Sequence, residues 1–229
     1  MPILSLFPGG GSSGNVPIAS SERAGVVRIG SDFDIAEDGT LSLYTPLTLS
    51  ASVSPSSAEK GSTVDKVTLS WRTNKTAASV SVDGQAVDPT ASQVSFDSQN
   101  ITDNKTYTVV ASDARCEVAA TAQIKFYNGV YYGTKPAPQG LDSVFVQTLF
   151  KTLRGDAKMT FSVDAPNGAY IWLACPSGYS VSNFNVGGFD GGFGKVATLD
   201  YTNPSGCTES YQVWRSDNTG LGKTTVKVS

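Results

Sequence analysis

Histidine is absent from this 229-residue chain. The side chain most used for acid–base catalysis near neutral pH, and the commonest metal ligand, is therefore missing, which counts against hydrolase triads and zinc sites. Carboxylate-only chemistry of the glycosidase kind needs just a pair of Asp or Glu and stays open. Cysteine is scarce: Cys116, Cys175 and Cys207 are too few and too widely spaced for a metal knuckle or a disulfide scaffold. They read as small core residues. One alternative stays open, because Cys175 ends the strand-like IWLAC and Cys207 opens CTESYQVWR, so neighbouring antiparallel strands could bring the two within bridging distance. Charge is also scarce, at 16% of residues with 20 acids against 17 bases, so no broad basic face exists for a phosphate backbone and no nucleic-acid partner is expected. No run approaches the roughly 20 apolar residues of a membrane span, so membrane insertion is not expected. The first residues lack a cationic n-region and ILSLF is shorter than an h-region, so no secretory signal is expected. On that expectation the sequons at Asn74, Asn100 and Asn104 read as polar loop composition.

What is present divides into three regions. Residues 1–45 read as an anchoring arm and attachment module. Ile3, Leu4, Leu6 and Phe7 form a brief apolar peptide, separated from the rest by Pro8 and the glycine-rich stretch from Gly9 to Gly14. Such a peptide suits insertion into a groove of a larger assembly, ordering as it binds. Residues 46–133 alternate with period two: LTLSASVS, KVTLSWR with Val67, Leu69 and Trp71 on one face, ASVSV, QVSFD, TYTVVAS and CEVAATAQIKFY. Asp83-Gly84 supplies the positive φ of a tight hairpin between Val82 and Val87. Six or seven short strands in this span, with Trp71 in a buried pattern and Tyr107 entering a late strand, resemble bacterial and viral Ig-like domains.

Tyr131, Tyr132 and TKPAPQG suit a semi-rigid spacer, with a boundary near Pro136, and residues 134–229 read as a second all-β domain. LDSVFVQTLFKTLRG fits a short amphipathic helix and a strand equally well. KMTFSVDA, AYIWLACP, SNFNVGG, KVATLDYT, ESYQVWRS and TTVKVS then follow as strands. AYIWLAC reads as a central strand covered on both faces, by another sheet or by a neighbouring subunit. The fold class expected is all-β: the arm, an Ig-like β-sandwich and a second β-sandwich-like domain.

Several segments tempt a functional reading. GLGKTT has the tail of a phosphate loop, but Asp217 stands where the first glycine belongs and a β-patterned end follows, so a turn into a last strand is expected. VGGFDGGFG places Phe189 and Phe193 among five glycines. It fits either a bulged turn returning both rings to the core or an exposed aromatic loop for surface recognition. Trp172, Trp214, Tyr170 and Tyr211 would make a carbohydrate platform if exposed, and core if not. Asp32, Asp34, Glu37 and Asp38 lack the spacing of a calcium loop. No catalytic, cofactor or metal site is expected, nor any cofactor.

Two stretches carry a family resemblance. SSERAGVVRIGSDFDIAEDGTLSL resembles the AGVV-x-x-G…DGTLS elements of bacteriophage fibre and other virion surface proteins. FNVGGFDGGFGKVATLDYTNPSGCTESYQVWRSDNTGLGKTTVKVS is similar to C-terminal domains of phage structural proteins. The resemblance implies a non-enzymatic virion protein, a short fibre, usually trimeric, assembled in the host cytoplasm. Its N-terminus would attach to the capsid as a head fibre, and its C-terminal domain would face outward toward a host-surface glycan or protein. A tail fibre or receptor-binding protein, and a bacterial surface Ig-like adhesin module, are the alternatives.

Overall fold

The computed structural model describes residues 33–35 and 41–229. It divides into Met1–Thr48 and Leu49–Ser229, each taken by itself. In the first unit, β1 (Phe33–Ile35) and β2 (Leu41–Leu43) pair antiparallel with Phe33 opposite Leu43. The expected anchoring residues Ile3, Leu4, Leu6 and Phe7 lie outside the described residues, as do Asp32, Glu37, Asp38 and the side chain of Asp34.

The second unit is all-β apart from one short helix, and it begins with an Ig-like sandwich. Its strands are β3 (Leu49–Ser54), β4 (Ser57–Glu59), β5 (Val67–Thr73), β6 (Ser79–Val82), β7 (Gln85–Val87), β8 (Gln93–Phe96), β9 (Lys105–Ser112) and β10 (Glu117–Lys135). One sheet runs β3-β5-β8; the other runs β10-β9-β6-β7, with β4 parallel to β10. Alternation fixes the core, because successive side chains point to opposite faces and only one face meets the other sheet. Val67, Leu69 and Trp71 from β5 are buried, as are Val80, Val82, Val109 and Ile124 from the other sheet. Tyr107 is buried too, stacked 6.3 Å from Phe96, and its hydroxyl has no partner among the described residues.

The second sandwich adds α1 (Ser143–Gln147), β11 (Phe150–Arg154), β12 (Met159–Ala165), β13 (Tyr170–Pro176), β14 (Phe184–Val186), β15 (Phe189–Asp190), β16 (Phe193–Thr202), β17 (Thr208–Ser216) and β18 (Gly222–Val228). One sheet, β16-β17-β13-β10, faces another, β12-β18-β14-β15. Strand β10 runs straight through the region expected to hold the domain boundary. Its first part pairs with β9, and Tyr131–Lys135 pair with β13 while Asn128–Tyr132 pair with β11. The prolines and glycine of the expected spacer come after the strand has already joined the second sheet, so they cannot separate the sandwiches.

The ambiguous segment 141–154 takes both conformations in succession. Asp142 caps α1, its Oδ1 accepting from Phe145 N at 2.8 Å, and satisfies a donor that a helix start leaves unpaired. After the five-residue helix and two further residues the chain turns into β11. The helix also closes the end of edge strand β16: Ser143 Oγ accepts from Thr202 N at 3.0 Å, and Gln147 Nε2 donates to Thr202 O at 2.9 Å.

AYIWLAC is the central strand expected, and both covers come from its own chain. Ile171, Leu173 and Cys175 pack with Phe161, Phe184, Val226 and Val228. Trp172 and Ala174 pack on the other face with Val146, Tyr131, Tyr201 and Tyr211. Neither face leaves an apolar surface that calls for a neighbouring subunit. The three thiols are free. Register explains why Cys175 and Cys207 do not bridge: Cys175 lies opposite Gln212, five residues and so roughly 16 Å of strand from Cys207.

The sandwiches meet along a tight seam. Asn203 Nδ2 donates to Lys60 O at 2.8 Å, Lys60 N donates to Tyr127 O at 3.0 Å, and Lys60 Nζ lies 3.8 Å from a Glu209 carboxylate. Gly61 has φ +82°, and a Cβ there would stand 2.7 Å from Cys207 Cβ. Both the backbone conformation and the close approach therefore demand glycine. Gly61→Val is expected to cost about 1–3 kcal/mol through strain and overpacking, read as a lowered midpoint of urea unfolding.

Candidate functional site

Where the sandwiches join, three tyrosines converge from β10, β16 and β17. The Tyr131 hydroxyl lies 2.6 Å from that of Tyr201 and 3.4 Å from Glu59 Oε1. Tyr211 donates to Gly129 O at 2.7 Å. Lys151 Nζ reaches Glu59 Oε2 at 2.9 Å, so the carboxylate at the end of β4 is tied both to β10 and to β11. Burial, followed by its hydrogen bond to Tyr201, holds the Tyr131 phenol far above its ordinary value. Burial also raises Tyr211 and Tyr201. These phenols are locked neutral and hydrogen-bonded, which suits a structural brace and not a proton donor working near neutral pH. Sequence reasoning missed this group, because Glu59, Lys151 and Tyr201 come from distant strands with no local motif.

The glycine-rich loop divides its two phenylalanines. Gly187 and Gly188, at φ +58° and +97°, form the two-residue turn between β14 and β15. Phe189 is 81% exposed just after it. Phe193 instead stacks on Phe184 with ring centroids 4.2 Å apart and 4° between planes. One ring therefore takes the exposed role and the other the core role. Asn185 orders the turn by accepting from Gly188 N and donating to Asp190 Oδ1 at 2.8 Å.

The four residues of the notional carbohydrate platform do not assemble. Trp172 and Tyr211 are buried, Tyr170 carries the Arg215 guanidinium 4.2 Å above its ring, and Trp214 packs by Phe184 on the opposite face of its sheet. Lys223 and Thr224 lie within β18, a strand between β12 and β14, so the phosphate-loop tail opens no helix.

Among the described residues, two open clefts carry polar side chains. One, of about 420 Å³, lies along β12 and β18 by Ser162, Asp164, Lys223 and Thr225. The other, of about 460 Å³, lies at the seam and is lined by Lys60, Thr102, Asp103, Asn104, Phe126 and Cys207. Each carries one carboxylate, Asp164 or Asp103, where glycoside hydrolysis uses two facing each other. Among the described residues, no group of three or more Cys, Asp or Glu side chains is placed to hold a metal ion, and no helix is long and apolar enough to cross a membrane.

Two measurements check this geometry. Phe193→Ala is expected to cost roughly 2–4 kcal/mol of stability, and Phe189→Ala to change it by less than about 0.5 kcal/mol, in urea titrations. The buried acids set an alkaline limit. The Cys175 thiol, pushed up to about 11 by burial, and the tyrosines above their ordinary 10.0 keep their protons in the fold after the unfolded chain has lost them. The contribution of these groups is therefore level below about pH 8, begins to fall as the Cys175 thiol ionises in the unfolded chain, and falls more steeply above about pH 10 as the tyrosines do. Urea midpoints across this range read the effect directly.

No family model matches the chain, and no curated protein matches it. Among solved structures, it is similar to the N-terminal eight Ig domains of Down syndrome cell adhesion molecule isoform 1.30.30, at 14% identity and a TM-score of 0.25. The match covers 81% of this chain and spans about a quarter of that structure, 27% of its length.

Proposed function

We propose that this chain is a structural protein of a bacteriophage virion: a short, non-enzymatic fibre that attaches by its N-terminal segment to the capsid and holds its C-terminal sandwich outward. The observation that carries this reading is the strand shared by both sandwiches, Glu117–Lys135, with the seam braced by Tyr131, Tyr201, Glu59 and Lys151. A continuous strand bonded on both sides resists bending, as a projecting stalk must. The resemblance of residues 20–43 to virion attachment elements supports the direction, with the anchor at Ile3, Leu4, Leu6 and Phe7 and the exposed Phe189 on the presented sandwich. The lone carboxylate in each cleft and the neutral, buried phenols support a non-catalytic role. Trimerisation belongs to the proposal through the resemblance alone, since β13 is covered within its own chain.

Immunogold labelling of intact particles is expected to place the protein on the virion surface. Deleting residues 1–14 should leave the body at Leu49–Ser229 folded, by circular dichroism, and abolish incorporation. Unlabelled particles, or full incorporation of the truncated chain, would refute the attachment scheme.

A further inference from the structure

The cleft at the seam has a composition that the stalk role does not use. Its walls come from both sandwiches: Lys60, Thr102, Asp103 and Asn104 from the first, and Cys207 from the loop before β17. Phe126 lies beneath, buried apart from its cleft edge. Asn104 Oδ1 accepts from Phe126 N at 2.7 Å, which fixes the amide and leaves its Nδ2 as a donor. Asp103 offers acceptors only, Lys60 donors only, and Thr102 both. Lys60 also faces Glu209 at 3.8 Å, so its charge is already shared with a carboxylate and a phosphate is not favoured, and among the described residues no group of three or more Cys, Asp or Glu is placed to hold a metal ion.

We propose that this cleft is a binding subsite for an uncharged saccharide. Adjacent sugar hydroxyls each donate and accept, and the mixed donor and acceptor set here meets that requirement. Its volume of about 460 Å³ lies within the roughly 300–1,000 Å³ of ligand clefts, which favour junctions between domains. The walls are preorganised, because Asn203 holds Lys60 O while accepting from Cys207 N at 2.9 Å, so little ordering remains to be done on binding. The inference does not depend on the virion reading: it concerns the isolated chain.

Cys207 supplies the probe. In the full chain carrying Cys116→Ser, Cys175 is buried and its thiol is held up, so iodoacetamide reports on Cys207. Glucose, galactose, N-acetylglucosamine and their β-linked disaccharides are titrated by calorimetry. At least one is expected to bind saturably, to slow Cys207 alkylation, and to bind about tenfold or more weakly to Asp103→Ala, with Leu221→Ala, outside the cleft lining, unchanged. Absence of saturable binding across the panel would overturn the proposal. So would binding that survives both Asp103→Ala and complete alkylation of Cys207. Particle labelling is read separately, so failure here leaves the attachment scheme standing, and failure there leaves the subsite.

Discussion

Backbone hydrogen bonding along one strand governs how the two sandwiches of the larger unit are joined. Strand β10 contributes Glu117–Ile124 to a ladder with β9 and Asn128–Lys135 to ladders with β11 and β13. A bend anywhere near its middle would strand buried amides and carbonyls on both sides, at the cost of a lost hydrogen bond for each. Side chains reinforce what the backbone begins. Lys151, Glu59 and Tyr131 cross from β11 through β4 to β10, and Asn203 holds the Lys60 carbonyl from the far side of the seam. The joint is thus made of paired polar groups around an aromatic cluster, with Gly61 permitting the closest approach.

This arrangement explains how a sheet can be buried on both faces with no third sheet. β13 has one face against β12, β14 and β18, and the other under α1 and the tyrosines. A helix of five residues suffices as cover because Val146 and Leu149 plug the gap while Tyr131, Tyr201 and Tyr211 fill the remainder with their own rings. The hydroxyls that come with those rings are satisfied by one another, by Glu59 and by a backbone carbonyl, so the cost of burying them is met locally.

Much of the architecture was legible wherever the signal was local. The hairpin at Asp83-Gly84 forms with φ of +46° and +80°, placing Val82 opposite Gln85 and Val80 opposite Val87. Period-two alternation located β5, β9, β12 and β17, and the apolar run located β13. Legibility failed where the outcome depends on distant partners. Thr134 and Lys135 sit beside prolines and look like linker, yet they pair with Ile171 and Tyr170. Segment 141–154 satisfied helix and strand patterns at once because it is one and then the other. Cys175 and Cys207 lie on or beside the same sheet, but no sequence pattern discloses the register that sets them apart. The seam cleft gave no signal either, since its lining comes from residues near 60, 103 and 207.

The cap on β16 has a wider meaning. An unpaired border ten residues long is a template on which a second molecule could extend the sheet, and a third after it. Ser143 and Gln147 occupy the backbone positions at Thr202, and the register shift between Lys195 and Ala197 interrupts the remaining border. The stretch left on this border for intermolecular zippering is short and interrupted, so β16 itself makes a poor template for strand addition.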